Sequence, residues 1–267
     1  CYLMKICFIS EYFSSSNDEQ SNAIKNILDI CKLGKIEHLV VHKKSKIYSN
    51  KELLEKAIKK CDILHFFGGW TSFYIKMNSL AHKLHKKIII HPMNFNEPLS
   101  LSQKIMKKYL IWNFYQKKIL LKADLIHCLS AIEEQNFKKI NRNFKTIILP
   151  LGINQKDIVK KINYKNSKKC ILFSNSLQKK DLNKLLKAWI SIDNPHWYLD
   201  VIDLKSQNYF SKIYNVQKYK KIKIIQNIFT QKSKFKSLAK YDLLIFSSMG
   251  QNFNYEILEA LARGLPV

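Results

Sequence analysis

Residues 62–84, DILHFFGGWTSFYIKMNSLAHKL, read as a strand, a glycine turn and a helix in succession. An apolar run over 63–67 stops at Gly68 and Gly69, and an amphipathic segment over 71–84 follows. The same unit recurs to either side. Strands are expected at 3–10, 36–41, 63–67, 87–91, 125–129 and 146–150, with helices at 19–32, 51–60, 71–84, 102–122 and 131–139. Short apolar runs alternating with longer amphipathic ones are the mark of a doubly wound α/β domain with a parallel sheet. The pattern then restarts, with strands at 169–175, 197–204, 221–226 and 243–247 and helices at 182–192 and 255–263. Between the halves, 151–168 is polar, charged and without a clear period. Two domains are therefore expected, 1–151 and 152–267, the second with few strands and so incomplete.

The composition is that of a globular protein, 46% hydrophobic and 12% aromatic over 267 residues. Its formal charge is +26. Two of the 46 basic residues are arginines, Arg142 and Arg263, so the other 44 are lysines, spread along the whole chain. Nucleic-acid binders favour arginine for bidentate contacts, so nucleic acid is the weaker reading of this charge. Anionic lipid or a phosphorylated ligand suits it better. The six cysteines, at 1, 7, 31, 61, 128 and 170, form no C-x-x-C and no cluster with histidine at metal spacing. Reduced thiols in a cytoplasmic protein are expected, with Cys7 and Cys170 in the core. No apolar run reaches about 18 residues, and the opening CYLMKICFIS reads as a strand rather than a signal peptide.

Tandem domains of this kind hold ligands outside the carboxyl ends of their strands, in the cleft between them. Polar residues sit at those ends. His65, Gly68, Gly69 and Trp70 follow one strand; His91, Asn94, Asn96 and Glu97 follow the next. HCLSAIEEQ brings Ser130 and then acids into the first turn of a helix. ILFSNSLQKKDL brings Ser174, Asn175, Ser176, Lys179 and Lys180, and LLIFSSMGQNFN brings Ser247 and Ser248. His65 and His91 are the candidate catalytic residues; a hydrogen-bonded structural histidine is the alternative for each. His38, His42, His82, His85, His127 and His196 are taken as structural or exposed. At the end of the chain, GQNFN precedes a helix that carries Glu256 and Glu259. A Gly/Asn-rich turn before a helix presents backbone N–H groups and the positive end of the helix dipole to an anion such as a nucleotide diphosphate.

The segments from Asp62 to Val267 resemble retaining glycosyltransferases of family 4, of the bacterial polysaccharide type and the GT-B fold. NFNYEILEALARGLPV is similar to that family's donor-site signature, DILHFFGGW to its His-x-His-Gly-x-Trp strand end, HPMNFNEPLSL to part of its acceptor domain, and ILPLGI to its hinge. The resemblance implies that Glu259 holds the donor ribose, while Glu256 stays on a solvated face. It assigns the donor site to Gln251, Asn252, Phe253 and Asn254 in the loop, and to Ser176, Lys179 and Lys180 at the diphosphate. Three departures stand out: Gln251 where the family has an acid, Ser176 where it has an arginine, and Met93 where it often has histidine or arginine. Asn254 replaces the glycine of the turn and is expected to take its left-handed backbone. SEYFSSSNDEQSN stands in for the glycine-rich loop after the first strand.

The resemblance further implies retaining transfer of a hexosyl group from a nucleotide-sugar to a glycan or lipid-linked acceptor, in surface polysaccharide synthesis. No metal and no cofactor beyond the donor substrate are expected. The protein would lie in the cytoplasm, touching the inner face of an anionic membrane through residues 104–122; an ordinary packed helix is the alternative for that segment. The alternative function is a non-catalytic remnant that binds a nucleotide or a partner. The chain stops where the family continues, so a fragment of a longer reading frame is expected.

Overall fold

The computed structural model describes residues 4–13, 19–69, 71–93, 112–153, 158, 167–173, 179–192, 196–203, 221–226, 237–247 and 254–267. The chain divides into two units, one of residues 1–152 and one of residues 153–249 with 254–267.

The first unit holds β1 (Lys5–Ser10), α1 (Glu19–Leu33), β2 (Glu37–His42), α2 (Lys46–Ser49), α3 (Lys51–Lys59), β3 (Ile63–Phe67), α4 (Ser72–Lys83) and β4 (Lys87–His91). A π-helical turn, Trp112–Gln116, then runs into α5 (Lys117–Leu121), followed by β5 (Leu125–Cys128), α6 (Ala131–Ile140) and β6 (Thr146–Ile148). The six strands are parallel, in the order β2-β1-β3-β4-β5-β6. One face is aliphatic: Cys7, Ile9, Leu64, Phe66, Ile88, Ile90, Ile126 and Cys128 pack under Leu54 and Ile58 of α3, Phe73 and Met77 of α4, Leu120 of α5 and Phe137 of α6. Strand alternation turns the next residues to the other face, where Phe8 stands opposite His65 and Phe67 opposite His91.

The second unit holds β7 (Lys169–Phe173), α7 (Lys179–Ile192), β8 (Tyr198–Asp203), β9 (Ile222–Gln226), β10 (Leu243–Leu244) and α8 (Tyr255–Ala262). Its sheet runs β10-β7-β8-β9, again parallel. Leu182 and Leu186 of α7 cover Cys170, Leu172, Leu199 and Val201. Ala260 of α8 belongs to a separate cluster with Ile171, Phe173, Ile202 and Leu244. Alternate residues of β7 thus enter different cores, which is the doubly wound pattern.

One device starts the strands of both sheets. Asp62 donates its N–H to the carbonyl of Lys5 at 2.8 Å and accepts the Lys5 N–H on its carboxylate at 2.8 Å. Asp124 does the same with Ile88, at 2.9 Å and 2.9 Å. Asp242 does so with Lys169, at 2.9 Å and 3.3 Å. Each aspartate pairs a backbone N–H at the open amino end of a neighbouring strand, which would otherwise lack an acceptor. The sequence signature is CDIL, ADLI and YDLL.

Three helices end on a left-handed residue in a Schellman arrangement. Gly264 (φ 65°) fills that place after α8, with Leu265 N–H bonded to Ala260 O at 2.9 Å. Lys35 (φ 53°) and His85 (φ 51°) fill it after α1 and α4, with Ile36 N–H on Cys31 O at 2.8 Å and Lys86 N–H on Ala81 O at 3.0 Å. Cys7, Cys31, Cys61, Cys128 and Cys170 are free thiols, all buried. No helix among the described residues is long and apolar enough to cross a membrane.

Candidate functional site

In the first sheet the strand order reverses between β1 and β3, so the loops leaving those two strands part in opposite directions. Tyr74, in the first turn of α4, bridges them. Its hydroxyl accepts the Glu11 N–H at 3.0 Å and donates to the carbonyl of Phe67. Burial pushes this phenol up to about 12, so it stays a donor. Glu11 is buried beside it and pairs with Lys43 at 3.0 Å. The β3 end turns at Gly68 (φ 105°), a backbone that side-chain-bearing residues rarely adopt, and the Gly68 N–H meets the carbonyl of His91 at 2.9 Å.

Behind this edge lies a ladder of three histidines. The His91 Nδ1 is 3.0 Å from the carbonyl of His127. The His127 Nε2 is 2.7 Å from the carbonyl of Leu149, and its Nδ1 is 3.4 Å from His65 Nε2. Carbonyls only accept, so these contacts fix the tautomers. His91 carries its proton on Nδ1, His127 on Nε2, and His65 donates from Nε2 to the remaining lone pair of His127. The rings pack against one another and against Phe67: the centroids of His91 and His127 lie 4.5 Å apart and those of His65 and Phe67 4.5 Å, both pairs tilted, while Phe67 and His91 meet edge-on at 5.2 Å. All three histidines are buried. Burial, reinforced by the neighbouring His127, pulls the His91 pKa down to about 3. Burial pulls His65 well below its ordinary value, with His127 and His91 adding to it, and burial also lowers His127. The ladder is therefore neutral at physiological pH. Four of its six ring nitrogens are engaged in these contacts, and no group of three or more His, Cys, Asp or Glu among the described residues is arranged to hold a metal.

The expected pair His65 and His91 thus lies on one sheet face, with His127 as the member that the sequence reading left among the structural or exposed histidines. A signal was present: His127 follows Asp124 by three positions, as His65 follows Asp62. The acids after Ser130 serve the fold. Ser130 caps α6 by accepting the Glu133 N–H at 3.2 Å, and the Glu133 carboxylate accepts the Leu129 N–H at 2.7 Å. Trp70, Asn94, Asn96 and Glu97 lie outside the described residues.

In the second sheet the order reverses between β7 and β10. Helix α7 follows β7, and Lys179 and Lys180 are its first two residues. Helix α8 follows β10. Within it Tyr255, Glu259 and Ala260 are buried, Glu259 to 1% exposure, while Glu256 is only partly covered. The two acids therefore occupy different environments on one helix. Ser176, Gln251, Asn252 and Phe253 fall outside the described residues.

Asn254 departs from expectation. Its backbone is extended (φ −133°, ψ 124°) rather than left-handed. The side chain acts as an N-cap, accepting the N–H of Glu256 at 2.7 Å and of Ile257 at 3.2 Å. Extended dihedrals are what a cap requires, and the hydrogen bonds gained outweigh the turn that a glycine would make. Two of the helix-start amides that the sequence reading offered to a phosphate are thus already engaged.

No protein-family model matches the chain, and no curated protein matches it. Solved structures do. HepE from Anabaena, solved with UDP and glucose, matches with a TM-score of 0.66 and 13% identity, covering 98% of this chain and 79% of that one. Sucrose-phosphate synthase from Thermosynechococcus elongatus matches with a TM-score of 0.71 and 13% identity, covering 98% and 80%. An α-glucosyltransferase solved with UDP and a 13-mer DNA matches with a TM-score of 0.62 and 13% identity, covering 98% and 78%. The fold is GT-B. A likeness at this identity speaks to architecture, and the GT-B architecture accounts for both sheets, their parallel strands and the helix that follows β10.

Proposed function

We propose that this GT-B chain is a glycosyltransferase of the retaining, metal-independent kind, moving a hexosyl group from a nucleotide-sugar to a glycan or lipid-linked acceptor in polysaccharide synthesis. The observation that carries the reading is the contrast on α8: Glu259 is turned into the fold and Glu256 is not. A carboxylate on the helix that leaves the carboxyl edge of this sheet is a suitable acceptor for the vicinal hydroxyls of a ribose. HepE has been solved with UDP-glucose, and that neighbour supports a nucleotide-sugar donor. In the reaction an acceptor hydroxyl bonds to the anomeric carbon while the bond to the diphosphate oxygen breaks. The departing diphosphate takes the hydroxyl proton on the same face, and Lys180 with loop amides offsets its charge. The buried histidines favour this division of labour. A base whose conjugate acid has a pKa of about 3 is a poor match for proton abstraction near neutrality.

On this reading the protein works in the cytoplasm against the inner membrane face. Phe114, Tyr115 and Leu121 are exposed on the turn and helix 112–121, beside exposed Lys117, Lys118 and Lys122. A second reading is binding of a nucleotide or a partner without turnover, since the two α8 amides that Asn254 engages are not available to offset charge on a leaving diphosphate.

Calorimetry with UDP tests the proposal. Glu259→Gln should weaken binding about five- to a hundredfold, the equivalent of ~1–3 kcal/mol, and Glu256→Gln should change it little. Equal effects, or none from either, would sink the reading. Tight UDP binding with no sugar released or transferred from UDP-glucose and the other common nucleotide-sugars would favour the second one.

A further inference from the structure

We propose that Cys7 and Cys61 form a peroxide-sensitive thiol pair, which closes to an intramolecular disulfide at the amino edge of the first sheet. This chemistry stands apart from glycosyl transfer, whose proposed groups lie at the carboxyl edges.

The juxtaposition follows from the register. Cys7 is the third residue of β1 and packs in the cluster under α3. Cys61 lies in the turn between the end of α3 at Lys59 and the start of β3 at Ile63. Its neighbour Asp62 is bonded to Lys5 twice, once in each direction, at 2.8 Å. That clamp holds the turn against β1 two residues before Cys7. The Cys61 N–H meets the carbonyl of Ile58 at 3.0 Å, and its Sγ lies 3.4 Å from the carbonyl of Ala57. Both thiols are 0% exposed in one apolar cluster, and their side chains hydrogen-bond to each other. Carbonyls only accept. The Cys61 S–H therefore points at Ala57, and the Cys7 S–H donates to the Cys61 sulfur.

That direction gives the two sulfurs different roles. The hydrogen bond from Cys7 favours a thiolate at Cys61 and lowers its pKa; burial opposes this, while Lys5 and Lys86 reinforce it. The same bond keeps the proton on Cys7, and burial raises that thiol further. Cys61 is thus the nucleophile and Cys7 the resolving thiol. The other described cysteines lack this setting. Burial raises Cys31 and pushes Cys128 and Cys170 up to about 12.

Hydrogen peroxide is the oxidant. The Cys61 thiolate attacks one peroxide oxygen, the O–O bond breaks, and a sulfenic acid forms as hydroxide leaves. The Cys7 sulfur then attacks the Cys61 sulfur. The S–S bond forms, the S–O bond breaks, and the hydroxyl leaves with the Cys7 proton as water. The proton first released by Cys61 neutralises the hydroxide. Two thiols and one peroxide give one disulfide and two waters. Burial selects a small oxidant. Peroxide is little larger than water, and brief opening of the turn at the exposed Lys59 and Lys60 admits it.

Peroxide treatment of the wild-type chain, read by alkylation and peptide mass spectrometry, tests the proposal without a mutation. A Cys7–Cys61 disulfide should form within the monomer at least about tenfold faster than Cys31, Cys128 or Cys170 is oxidised, and dithiothreitol should reverse it. Cys7→Ser should leave Cys61 as a sulfenic acid that dimedone traps, and Cys61→Ser should slow the oxidation of Cys7 about tenfold. Circular dichroism checks that each variant is folded. Oxidation of Cys31, Cys128 or Cys170 first, a disulfide between chains, or Cys61 carried to the sulfinic acid with Cys7 still reduced would overturn the inference.

Discussion

Lowering the pH from 7.5 to 5 should destabilise the first unit through the histidine ladder. His91 has a folded pKa of about 3, against roughly 6.5 in an unfolded chain. A folded pKa that is depressed means the unfolded state takes up the proton first. The contribution is therefore complete above about pH 6.5, declines as the pH falls below it, and stops declining near pH 3. At pH 5 each histidine that stays neutral in the fold costs about 1.36 × log(1 + 10^1.5), or about 2 kcal/mol. His65, held well below its ordinary value by burial, adds to the loss in the same direction. His91 alone therefore removes about 2 kcal/mol at pH 5. With a urea slope of about 2 kcal/mol per molar, the midpoint of the first unit should fall by at least about 1 M. The assay is urea unfolding at several pH values, followed by circular dichroism and by the ring resonances of these histidines. Burial also lowers His42 and His82, so the decisive comparison is His65→Gln. Its amide replaces the Nε2 donor to His127 without titrating, and it should reduce the ladder's pH dependence. An unchanged midpoint between pH 7.5 and 5, or an unchanged slope in His65→Gln, would refute the reasoning.

Replacing Lys35 or His85 by glycine should stabilise the protein by about 0.5–1 kcal/mol each, because both hold the left-handed backbone that glycine adopts freely; a lowered melting temperature for both would contradict the Schellman assignment. Asp124→Ala should cost about 1–3 kcal/mol by stripping the Ile88 N–H of its acceptor, while Asp124→Asn, which still accepts, should cost much less. Burial raises the Asp124 carboxyl, but hydrogen bonds from Lys87 and Ile88 together with nearby lysines lower it by more, so this contribution is lost only in strong acid and stays clear of the histidine window. Sedimentation with anionic vesicles should pull the protein down in a salt-sensitive way, and reversing Lys117, Lys118 and Lys122 to glutamate should release it, at about 1 kcal/mol per lysine; equal partitioning into neutral vesicles would defeat the docking face.

The strands β3 and β4 lie at the residues that the sequence assigns to them, 63–67 and 87–91, because Gly68 and Pro92 end them sharply. Their alternation then dictates which histidines share a face. Elements bounded by tertiary contacts were harder to read. The segment 243–246 is apolar throughout, yet only Leu243–Leu244 is a strand, since pairing depends on neighbours that periodicity does not encode. The short helix Lys46–Ser49 escapes a periodicity search because one turn is enough for its Ser45 cap. A regular helix over 102–122 is expected from pattern alone, but its described part opens as a π-helical turn and exposes Phe114 and Tyr115. The candidate site was legible as residue types and not as pairings. Nothing in the spacing says that His127 joins His65 and His91, or that Asn254 caps α8 instead of turning left-handed.

The polar groups of this chain are sorted along the strand direction, and that sorting is the physical argument for where ligands bind. At the amino ends of the strands, Asp62, Asp124 and Asp242 close the sheets, each satisfied by backbone N–H groups at fixed distances. Such carboxylates are spent on the fold and have little left for a substrate. The opposite edge carries the reverse chemistry. His91, Thr71 and Asn22 hold buried acceptors without partners among the described residues, and Tyr74 fastens the two loops that part there. In the second unit, helix α8 starts from the corresponding edge and buries Glu259. A parallel sheet makes this division natural, since every strand leaves its loops of one kind on one side. A ligand that approached from the amino edge would find aspartates already bonded to backbone. One that approached from the carboxyl edge would find acceptors still to be filled. Exchanging the character of the edges gives the test. Asp242→Ala should lower stability and leave UDP affinity nearly unchanged, whereas Glu259→Gln should lower affinity with a smaller effect on stability; a reversed outcome would place the ligand at the wrong end of the strands.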